Sequence, residues 1–263
     1  MNPEWKNRYE LAIDAARQAG KLALQYYPDA DSAAFARSIE WKEDMSPVTR
    51  ADREAEHHLR TTLLGAFPAD GFLGEESGDT PGSSGFRWII DPVDGTRSFV
   101  RGIPLWGTLV GLEYQQECIA GVICVPCFDH TYHALRGAGA FRDNQKIHVS
   151  NVDQLHKSLI FYSGINWFAR AGKWDGFWNL AMKCDRQRGL GDFYGFVLVA
   201  QGSGELMVDH GVHIWDVAAI KPLIEEAGGR FSDWDGQPRV DRIDCVASNG
   251  LLHEEALRLL NEV

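Results

Sequence analysis

The sequence lacks both a disulfide framework and a long apolar segment. Five cysteines occur among 263 residues, an odd number spread along the chain, which indicates a reducing compartment. The longest apolar run, Ile119 to Phe128, is too short to span a bilayer, and residues 1–6 contain no apolar signal core. We therefore expect a cytoplasmic protein with no membrane partner.

Positive charge is also scarce. Lysine and arginine number 26 against 37 acidic residues, which gives a net charge of −11. Nucleic-acid binding depends on a basic surface, so we expect no nucleic-acid partner. The hydrophobic fraction of 44% is ordinary for a globular protein, and the length is sufficient for a sizeable core.

The cysteines form one pattern that is also found in metal sites. Cys124 and Cys127 make a C-x-x-C pair at the end of an apolar run, with His130 and His133 nearby. A structural zinc site usually needs a second ligand pair, and no second cysteine pair is present. We interpret the pair as structural thiols, with zinc as the alternative.

The apolar pattern predicts two closely packed subdomains without repeats or long linkers. Residues 1–150 indicate an N-terminal α+β subdomain, and residues 151–263 indicate a C-terminal α/β subdomain in which strands and helices alternate. Residues 79–85, rich in glycine, proline and serine, are predicted to be a mobile surface loop. The predicted helices are 5–26, 51–64, 167–183, 193–201, 214–226 and 251–261. The predicted strands are 39–43, 71–73, 87–90, 108–113, 119–125, 131–136, 158–162, 188–190 and 205–208.

The segment Trp88–Thr96 carries two carboxylates at the end of a predicted strand. The apolar run before Asp91 indicates a strand that delivers this side chain to a sheet edge, where α/β proteins usually bind ligands. Pro92 restricts the backbone, and Gly95 allows the backbone after Asp94 to approach a ligand closely. The alternative is that Asp94-Gly95 is only a hairpin turn.

Two further acids occur at comparable positions. Glu75 follows the apolar run Gly71–Leu73, and Asp216 opens a helical pattern. Asp216 has an alternative role, because an acid in the first turn interacts favourably with the helix dipole. If both converge with Asp91 and Asp94, each pair about 4 Å apart repels by roughly 4 kcal/mol at an effective dielectric near 20, so a cation is needed. Ligands that are all oxygen atoms favour Mg²⁺ over Zn²⁺.

Three motifs together resemble the signature of the inositol monophosphatase superfamily. They are Glu75-Glu76, Asp91-Pro-Val-Asp94-Gly-Thr96 and Trp215-Asp216-Val-Ala-Ala, and the resemblance extends over nearly the whole chain. It implies an α/β (α+β) fold, specifically a layered α/β/α/β/α sandwich. It also implies a Mg²⁺-dependent phosphomonoesterase with two or three ions per active site, and a homodimer.

The resemblance implies a set of metal ligands. Glu75, Asp91 and the carbonyl of Val93 resemble the ligands of one ion. Asp91, Asp94 and Asp216 resemble those of a second. Two metals suit the hydrolysis of a phosphate monoester, because one activates a water and the other stabilises the leaving oxygen.

The resemblance also implies how water and phosphate are held. Glu75 and Thr96 resemble the pair that orients and deprotonates the attacking water. The amides of Gly95 and Thr96 would donate to phosphate oxygens if these residues begin a helix. The alternative for Thr96 is a plain N-cap.

The substrate is indicated where the sequence departs from the inositol-type pattern. Ser46 stands where that pattern carries an acid belonging to its lithium-sensitivity motif, so strong lithium inhibition is not expected. The segments Ser46–Thr49, Asp94–Thr108 and Gly191–Tyr194 look more like the histidinol-phosphatase branch. We therefore expect L-histidinol phosphate, an intermediate of histidine biosynthesis, as the substrate. Inositol-1-phosphate is the alternative, followed by a 3′-nucleotide or a sugar bisphosphate.

A pocket for histidinol phosphate needs acids, because this substrate carries an ammonium and an imidazole. Asp192 and Asp209 are the candidates, each with the alternative of a solvated loop carboxylate. The position of Asp209 also resembles that of the inositol-contacting acid of the family. Arg188, at the start of a predicted strand, is a further candidate for lining the pocket, although arginine more commonly forms surface salt bridges. A non-enzymatic scaffold is not favoured, because none of the implied ligands is missing. The tryptophans at helical spacing are assigned to packing: Trp167, Trp174 and Trp178.

Overall fold

The computed structural model describes residues 2–28, 40–41 and 47–262. Ser46 and part of the strand predicted at residues 39–43 lie outside these ranges, whereas residues 40 and 41 do form a short strand. Within the described residues, no helix is long and apolar enough to cross a bilayer. The thiols of Cys124 and Cys127 are free.

The amino-terminal half contains a large sheet preceded by two helices. Its elements are α1 Pro3–Leu24, β1 Glu40–Trp41, β2 Pro47–Val48, α2 Arg50–Ala66, β3 Gly71–Gly74, β4 Gly78–Thr80, β5 Phe86–Asp94, α3 Thr96–Phe99, β6 Gly107–Tyr114, β7 Glu117–Val125, β8 His130–Leu135, β9 Gly139–Arg142 and β10 Gln145–Ile147. The eight strands from β3 onward form one sheet in the order β10-β9-β8-β7-β6-β5-β3-β4, in which β3 and β5 are parallel and the other neighbours antiparallel.

The carboxyl-terminal half contains a second, five-stranded sheet. Its elements are β11 Leu159–Tyr162, α4 Ile165–Arg170, α5 Trp174–Lys183, β12 Arg186–Arg188, α6 Phe193–Ala200, β13 Leu206–His210, α7 Ile214–Val217, α8 Ile220–Glu226, β14 Arg230–Ser232, β15 Asp244–Ser248 and α9 His253–Asn261. The strand order is β12-β11-β13-β15-β14, with β11 parallel to both of its neighbours. The division of the chain into two subdomains near residue 150 stays a prediction.

The helices and the two sheets form five layers. α1 and α2 cover one face of the eight-stranded sheet, and α6, α7 and α8 lie against the other face. The five-stranded sheet packs on α6 and is covered on its far side by α5 and α9. Side chains alternate along β5, so that Trp88 and Ile90 face the first helical layer while Ile89 faces Ala218. The predicted α/β/α/β/α sandwich is therefore confirmed.

Local sequence signals explain the starts of the two amino-terminal helices. The Asn2 side chain accepts a hydrogen bond from Glu4 N, and Pro3 occupies the first turn, where no N–H is needed. Thr49 caps α2, and Asp52 in turn accepts from Thr49 N at 2.8 Å. The capping box therefore fixes the position of Asp52 relative to the sheet.

Two glycines allow the α7–α8 junction to lie directly on the large sheet. Gly111 of β6 and Gly121 of β7 are cross-strand partners. A Cβ on Gly121 would lie 1.9 Å from Ala219 O, and a Cβ on Gly111 would lie 2.8 Å from the Cβ of Ala218. Any larger side chain at these positions would displace the junction, and with it the preceding turn that carries Asp216.

Two of the predicted helices are each divided in two, and the prediction of continuous helices there is wrong. The helix predicted over 167–183 is split into α4 and α5, because Gly172 adopts a left-handed conformation with φ 68°. The helix predicted over 214–226 is split into α7 and α8. Pro222, in the first turn of α8, has no N–H to continue the hydrogen bonds of α7.

The loop predicted at residues 79–85 is anchored to the sheet. Its first two residues belong to β4, which pairs with β3, so the loop prediction is wrong for them. Ser83 N and Ser84 N both donate to Ala69 O, and Ser84 Oγ donates to Asp70. These contacts do not favour the predicted mobility of the loop.

Candidate active site

Strand β5 ends in a bulge that carries both Asp91 and Asp94. Its pairing with β6 shifts register between these two residues, and Val93 N donates to Asp91 Oδ1 at 3.0 Å. Gly95 has φ 85°, and a Cβ there would lie 2.8 Å from Leu105 O, so glycine is required. The chain then enters α3 rather than β6, so the hairpin-turn alternative is wrong.

Glu75 is held beside β5 by a buried acid from α2. Glu75 N donates to Ile90 O, which extends the parallel pairing of β3 and β5 by one residue. The buried Glu56 carboxylate then accepts from Glu76 N at 2.9 Å and from Ser77 N at 2.7 Å. Glu56 therefore fixes the loop that carries Glu75. Sequence reasoning missed this residue, because the contact joins positions that are 20 residues apart.

Asp216 lies in the short helix α7, above the glycine pair of the large sheet. Its Oδ2 accepts from His213 N at 2.7 Å, so it caps the helix as the helix-end alternative suggested. It also interacts electrostatically with Glu75, Asp91 and Asp94. The capping role and membership of the acidic cluster are therefore compatible.

The four acids are close enough in the fold to raise the pKa values of the three aspartates among them. Burial raises the pKa of Asp91 well above its ordinary value, and Glu75, Asp94 and Asp216 each add to the rise. Burial also raises the pKa of Asp94, with further contributions from Asp192 and Asp216. Burial raises the pKa of Asp216 to about 7, against the lowering effect of the His213 N–H. Negative charge is therefore unfavourable in this cluster unless a cation is near.

The donor atoms of the cluster suit a hard divalent cation. All are oxygens, and one oxygen of each aspartate is engaged by a backbone N–H: Asp91 by Val93, Asp94 by Phe193 and Asp216 by His213. The other carboxylate oxygen of each aspartate can therefore coordinate a cation. Among the described residues, no three Asp, Glu, His or Cys side chains already have the arrangement of a metal site. The ligand assignment thus stays a prediction, which burial, charge and donor type support.

Thr96 contacts a second buried acid that sequence reasoning did not single out. Thr96 Oγ1 donates to Val93 O at 2.9 Å and lies 3.5 Å from Asp52 Oδ1. The other carboxylate oxygen of Asp52 accepts from both Thr49 N and Thr49 Oγ1, and burial raises the pKa of Asp52 to about 7. The N-cap of α3 is Gly95, so the interpretation of Thr96 as a plain N-cap is wrong.

A cavity of about 110 Å³ lies beside the acidic cluster and is strongly acidic itself. Carboxylates line it from both halves of the chain, and no lysine or arginine is among the described residues that line it. Its walls are Asp94, Ser163, Trp167, Asp192, Phe193, Phe196, Asp209, His210, Gly211, Val212 and Asp216. The cavity thus brings Asp192 and Asp209 next to two of the predicted metal ligands.

Asp192 has a strained backbone at the mouth of the cavity. Its φ of 54° and ψ of −156° lie close to a region that is normally occupied by glycine. The next residue, Phe193, donates its N–H to Asp94 Oδ2 at 2.8 Å. Desolvation by surrounding protein atoms raises the pKa of Asp192, and Arg97 opposes that rise. The residue as a whole is exposed to solvent. This backbone conformation places the Asp192 carboxylate at the entrance of the cavity.

Asp209 is a buried wall of the same cavity, only 5% exposed. Its Oδ1 accepts from Ser163 Oγ and, at 2.7 Å, from His210 N. Its Oδ2 has no hydrogen-bond partner among the described residues, and burial raises the pKa of Asp209 to about 7. The solvated-loop alternative is therefore wrong for Asp209.

Trp167 and Arg188 differ from their predicted positions relative to the cavity. Trp167, assigned to packing, does stack on His210 with ring centroids 6.3 Å apart, but it also lines the cavity and stays 38% exposed. Arg188 is exposed at the end of the edge strand β12, donates to Gln187 O, and is absent from the cavity walls. Its predicted role in the pocket therefore has no structural support.

Known proteins resemble this chain along nearly its whole length. The model of the inositol monophosphatase family matches residues 4–263. A histidinol-phosphatase from Mycobacterium tuberculosis is 40% identical over 256 residues, covering 95% of this chain and 96% of that protein. An inositol-1-monophosphatase from Mesorhizobium japonicum is 33% identical, covering 96% and 95%. The crystal structure of the extragenic suppressor protein suhB from Bartonella henselae has a TM-score of 0.88 at 29% identity, covering 96% and 98%.

Proposed function

The chain belongs to the inositol monophosphatase family and is a phosphoric monoester hydrolase, and from this premise we propose that it is a magnesium-dependent phosphatase acting on L-histidinol phosphate. Relatives named histidinol-phosphatase, at 37–40% identity over at least 92% of this chain, support the choice. The reaction releases histidinol and inorganic phosphate. We also propose that it takes place in the cytoplasm.

The charge of the cavity carries this proposal. Beyond the predicted metal ligands, the cavity has the carboxylates of Asp192 and Asp209 and no cationic wall among the described residues. A buried carboxylate is costly unless it is paired, and histidinol phosphate supplies an ammonium and an imidazole that can pair with both acids. Inositol has only neutral hydroxyls, which can donate hydrogen bonds to Asp209 but supply no counter-charge. The cavity therefore suits a cationic alcohol better than a polyol.

The acidic cluster is the proposed magnesium site. We assign Glu75, Asp91 and the carbonyl of Val93 to one ion, and Asp91, Asp94 and Asp216 to another, with two or three ions in total. Magnesium bound there supplies positive charge that lowers the pKa of water and stabilises the leaving oxygen. Oxygen-only donors and mutually raised carboxylate pKa values support the assignment.

The chain's own residues are proposed to position water and phosphate. The Glu75 carboxylate and the Thr96 hydroxyl orient the attacking water, and Asp52 positions that hydroxyl from the far side. The amides of Gly95 and Thr96, at the start of α3, face the phosphate oxygens in this scheme. Glu56 acts indirectly, because its carboxylate accepts hydrogen bonds from the backbone of the loop that carries Glu75.

A substrate panel tests the proposal. Histidinol phosphate, inositol-1-phosphate, fructose-1,6-bisphosphate and 3′-phosphoadenosine 5′-phosphate are compared with Mg²⁺ present. We expect the highest kcat/KM with histidinol phosphate. A tenfold preference for inositol-1-phosphate would support the alternative, for which the Mesorhizobium japonicum relative at 33% identity is the precedent. Activity with none of the four would revive the non-enzymatic scaffold.

We further propose that the protein is a homodimer, and an exposed apolar face on α5 supports this. Trp174, Trp178 and Met182 lie at helical spacing on one side of the helix, and Met182 is 62% exposed. We expect Trp178→Lys combined with Met182→Lys to give a monomer in light scattering. The control Ile243→Lys changes an equally apolar exposed position outside α5 and leaves the mass unchanged. A dimer that persists in the double variant would exclude this face.

A further inference from the structure

Trp167 is an aromatic wall of the acidic cavity. It lies in α4, directly after the turn that carries Ser163, and its indole lines the cavity together with Asp192 and Asp209. The side chain remains 38% exposed, although its neighbour Phe168 is fully buried. Part of a large aromatic ring is therefore accessible from the acidic cavity.

The indole is held in place on several sides. A Cβ on Gly211, whose φ is 90°, would lie 3.4 Å from the indole, so the ring rests against the backbone at this point. His210 stacks on Trp167 with ring centroids 6.3 Å apart and in turn lies 5.2 Å from Trp234. The guanidinium of Arg170 lies over the indole ring, 4.8 Å from its centroid. The ring is therefore pre-positioned and needs little ordering when a ligand binds.

The wall stands close to the acids that suit a cation. Gly211, on which the indole rests, follows Asp209 by two residues, and His210 between them donates its N–H to Asp209 Oδ1. Burial lowers the pKa of His210, which favours a neutral imidazole and prevents it from competing with a cationic ligand. A ligand that carries both a flat ring and an ammonium thus has an indole for the ring to contact and two carboxylates to pair with the ammonium.

We propose that Trp167 determines substrate specificity by packing its indole against the imidazole ring of histidinol phosphate, an inference that rests on the proposed function. The phosphate binds at the acidic cluster, and the ammonium pairs with Asp192 and Asp209. The imidazole, at the other end of the short carbon chain, lies against Trp167. Inositol has no planar π face, so the same wall gives it no comparable contact.

A pair of substrates isolates the ring contact. L-alaninol phosphate keeps the phosphate and the ammonium of histidinol phosphate but replaces its imidazolylmethyl group with a methyl group. We expect Trp167→Leu to lower kcat/KM about tenfold for histidinol phosphate, which corresponds to about 1.4 kcal/mol, and mainly through KM. The value for alaninol phosphate should change less than about twofold. Trp167→Phe retains a ring and should restore most of the loss.

A matched control separates recognition from damage to α4. Ile165→Ala changes an exposed apolar residue of the same helix that does not line the cavity, and it should leave both substrates unaffected. Thermal unfolding of each variant checks the fold. Calorimetric binding of L-histidinol and L-alaninol gives a readout that does not depend on turnover, and Trp167→Leu should weaken the binding of histidinol alone.

The outcomes distinguish this inference from the proposed function. If wild-type protein prefers histidinol phosphate but Trp167→Leu affects both amino-alcohol phosphates equally, or neither, the ring contact is refuted and the proposed function stands. If wild-type protein prefers inositol-1-phosphate by tenfold, the proposed function fails, and the inference fails with it. A loss confined to histidinol phosphate and reversed by Trp167→Phe supports both.

Discussion

At the residue scale, the backbone of Asp192 links strain to recognition. A residue with φ 54° and ψ −156° costs about 1 to 3 kcal/mol and persists only when the surrounding structure enforces it. Here the enforcement comes from Phe193, whose N–H is bound by the Asp94 carboxylate. The strain therefore positions a charged group at the mouth of the proposed substrate cavity.

We expect Asp192→Asn to raise KM for histidinol phosphate about tenfold or more, because an ammonium loses a charged partner whereas the backbone and shape are kept. KM for a substrate without a cationic group, such as phenyl phosphate, should change little. Steady-state kinetics on both substrates, with the exposed control Asp153→Asn, measure the difference. Equal changes for the two substrates would remove Asp192 from recognition of the cation.

His253 offers a test of stability away from the active site. Its ring is fully buried, with Nδ1 2.8 Å from Ser248 Oγ and Nε2 2.9 Å from Ser232 Oγ. Ser232 Oγ already donates to Asp233 O, so it accepts from a neutral ring protonated at Nε2. Burial, reinforced by Arg230, lowers the pKa of His253 from about 6.5 to about 4.

The unfolded chain binds a proton at His253 more readily than the folded chain does. The contribution of His253 to the free energy of unfolding is therefore complete above about pH 6.5 and is lost as the pH falls toward 4. The loss amounts to about 3 kcal/mol. We expect His253→Gln to reduce the dependence of unfolding free energy on pH in this window by that amount, measured by urea unfolding. The exposed control His156→Gln should keep the wild-type slope. An unchanged slope in His253→Gln would contradict the buried neutral state.

Sequence reasoning about single residues had the most to work with where the signal was local. Asp209 follows an apolar run, and Asp91 and Asp94 lie in one short motif; their assigned roles stay predictions. Asp52, by contrast, has no local signal in the sequence, because its contact with Thr96 joins positions 44 residues apart. The position of Trp167 beside the cavity could not be predicted, because a tryptophan in a helical pattern gives no signal of the cavity that it lines.

At the element scale, the contact of the α7–α8 junction with the sheet sets the position of Asp216. The pair Gly111 and Gly121 leaves no space for a Cβ against Ala218 and Ala219. Helix-like periodicity predicted the existence of α7 and α8 but placed no break between them. The break depends on Pro222 and on packing against a strand 100 positions earlier in the chain, which periodicity does not reveal.

We expect Gly121→Ala to destabilise the protein by about 3 kcal/mol, because backbone atoms of Ala219 must move to admit the Cβ. The shift of Asp216 should lower kcat/KM about a hundredfold. The control Gly65→Ala, on an exposed position of α2 with no neighbour within 4 Å, should stabilise by about 0.5 to 1 kcal/mol at unchanged activity. Denaturant unfolding and kinetics measure both variants. A similar effect of the two substitutions would show that the junction does not set the site.

At the scale of the whole molecule, five layers bring acids from both halves of an already acidic chain into one cluster. The resemblance of three motifs predicted this architecture, whereas composition alone indicated only a globular, acidic protein. The strand order could not be derived from periodicity, since β3 inserts between β4 and β5, and β15 between β13 and β14. These orders depend on long-range pairing that no local pattern encodes.

If the proposed magnesium site is correct, the stability of the molecule should depend on magnesium. Without a cation, the carboxylates of Glu75, Asp91, Asp94 and Asp216 repel one another. Asp94→Asn should therefore raise the unfolding free energy of the metal-free protein by about 2 kcal/mol, or its Tm by about 4–8 °C.

A cation that binds only the folded state stabilises the wild-type protein by about 2.7 kcal/mol at a hundred times its Kd. We therefore expect Mg²⁺ to raise the Tm of the wild type and to have much less effect on Asp94→Asn. Differential scanning calorimetry with MgCl₂, against NaCl at equal ionic strength, measures both shifts. If NaCl stabilises the wild type as much as MgCl₂ does, the cluster responds to general screening and not to a bound divalent ion.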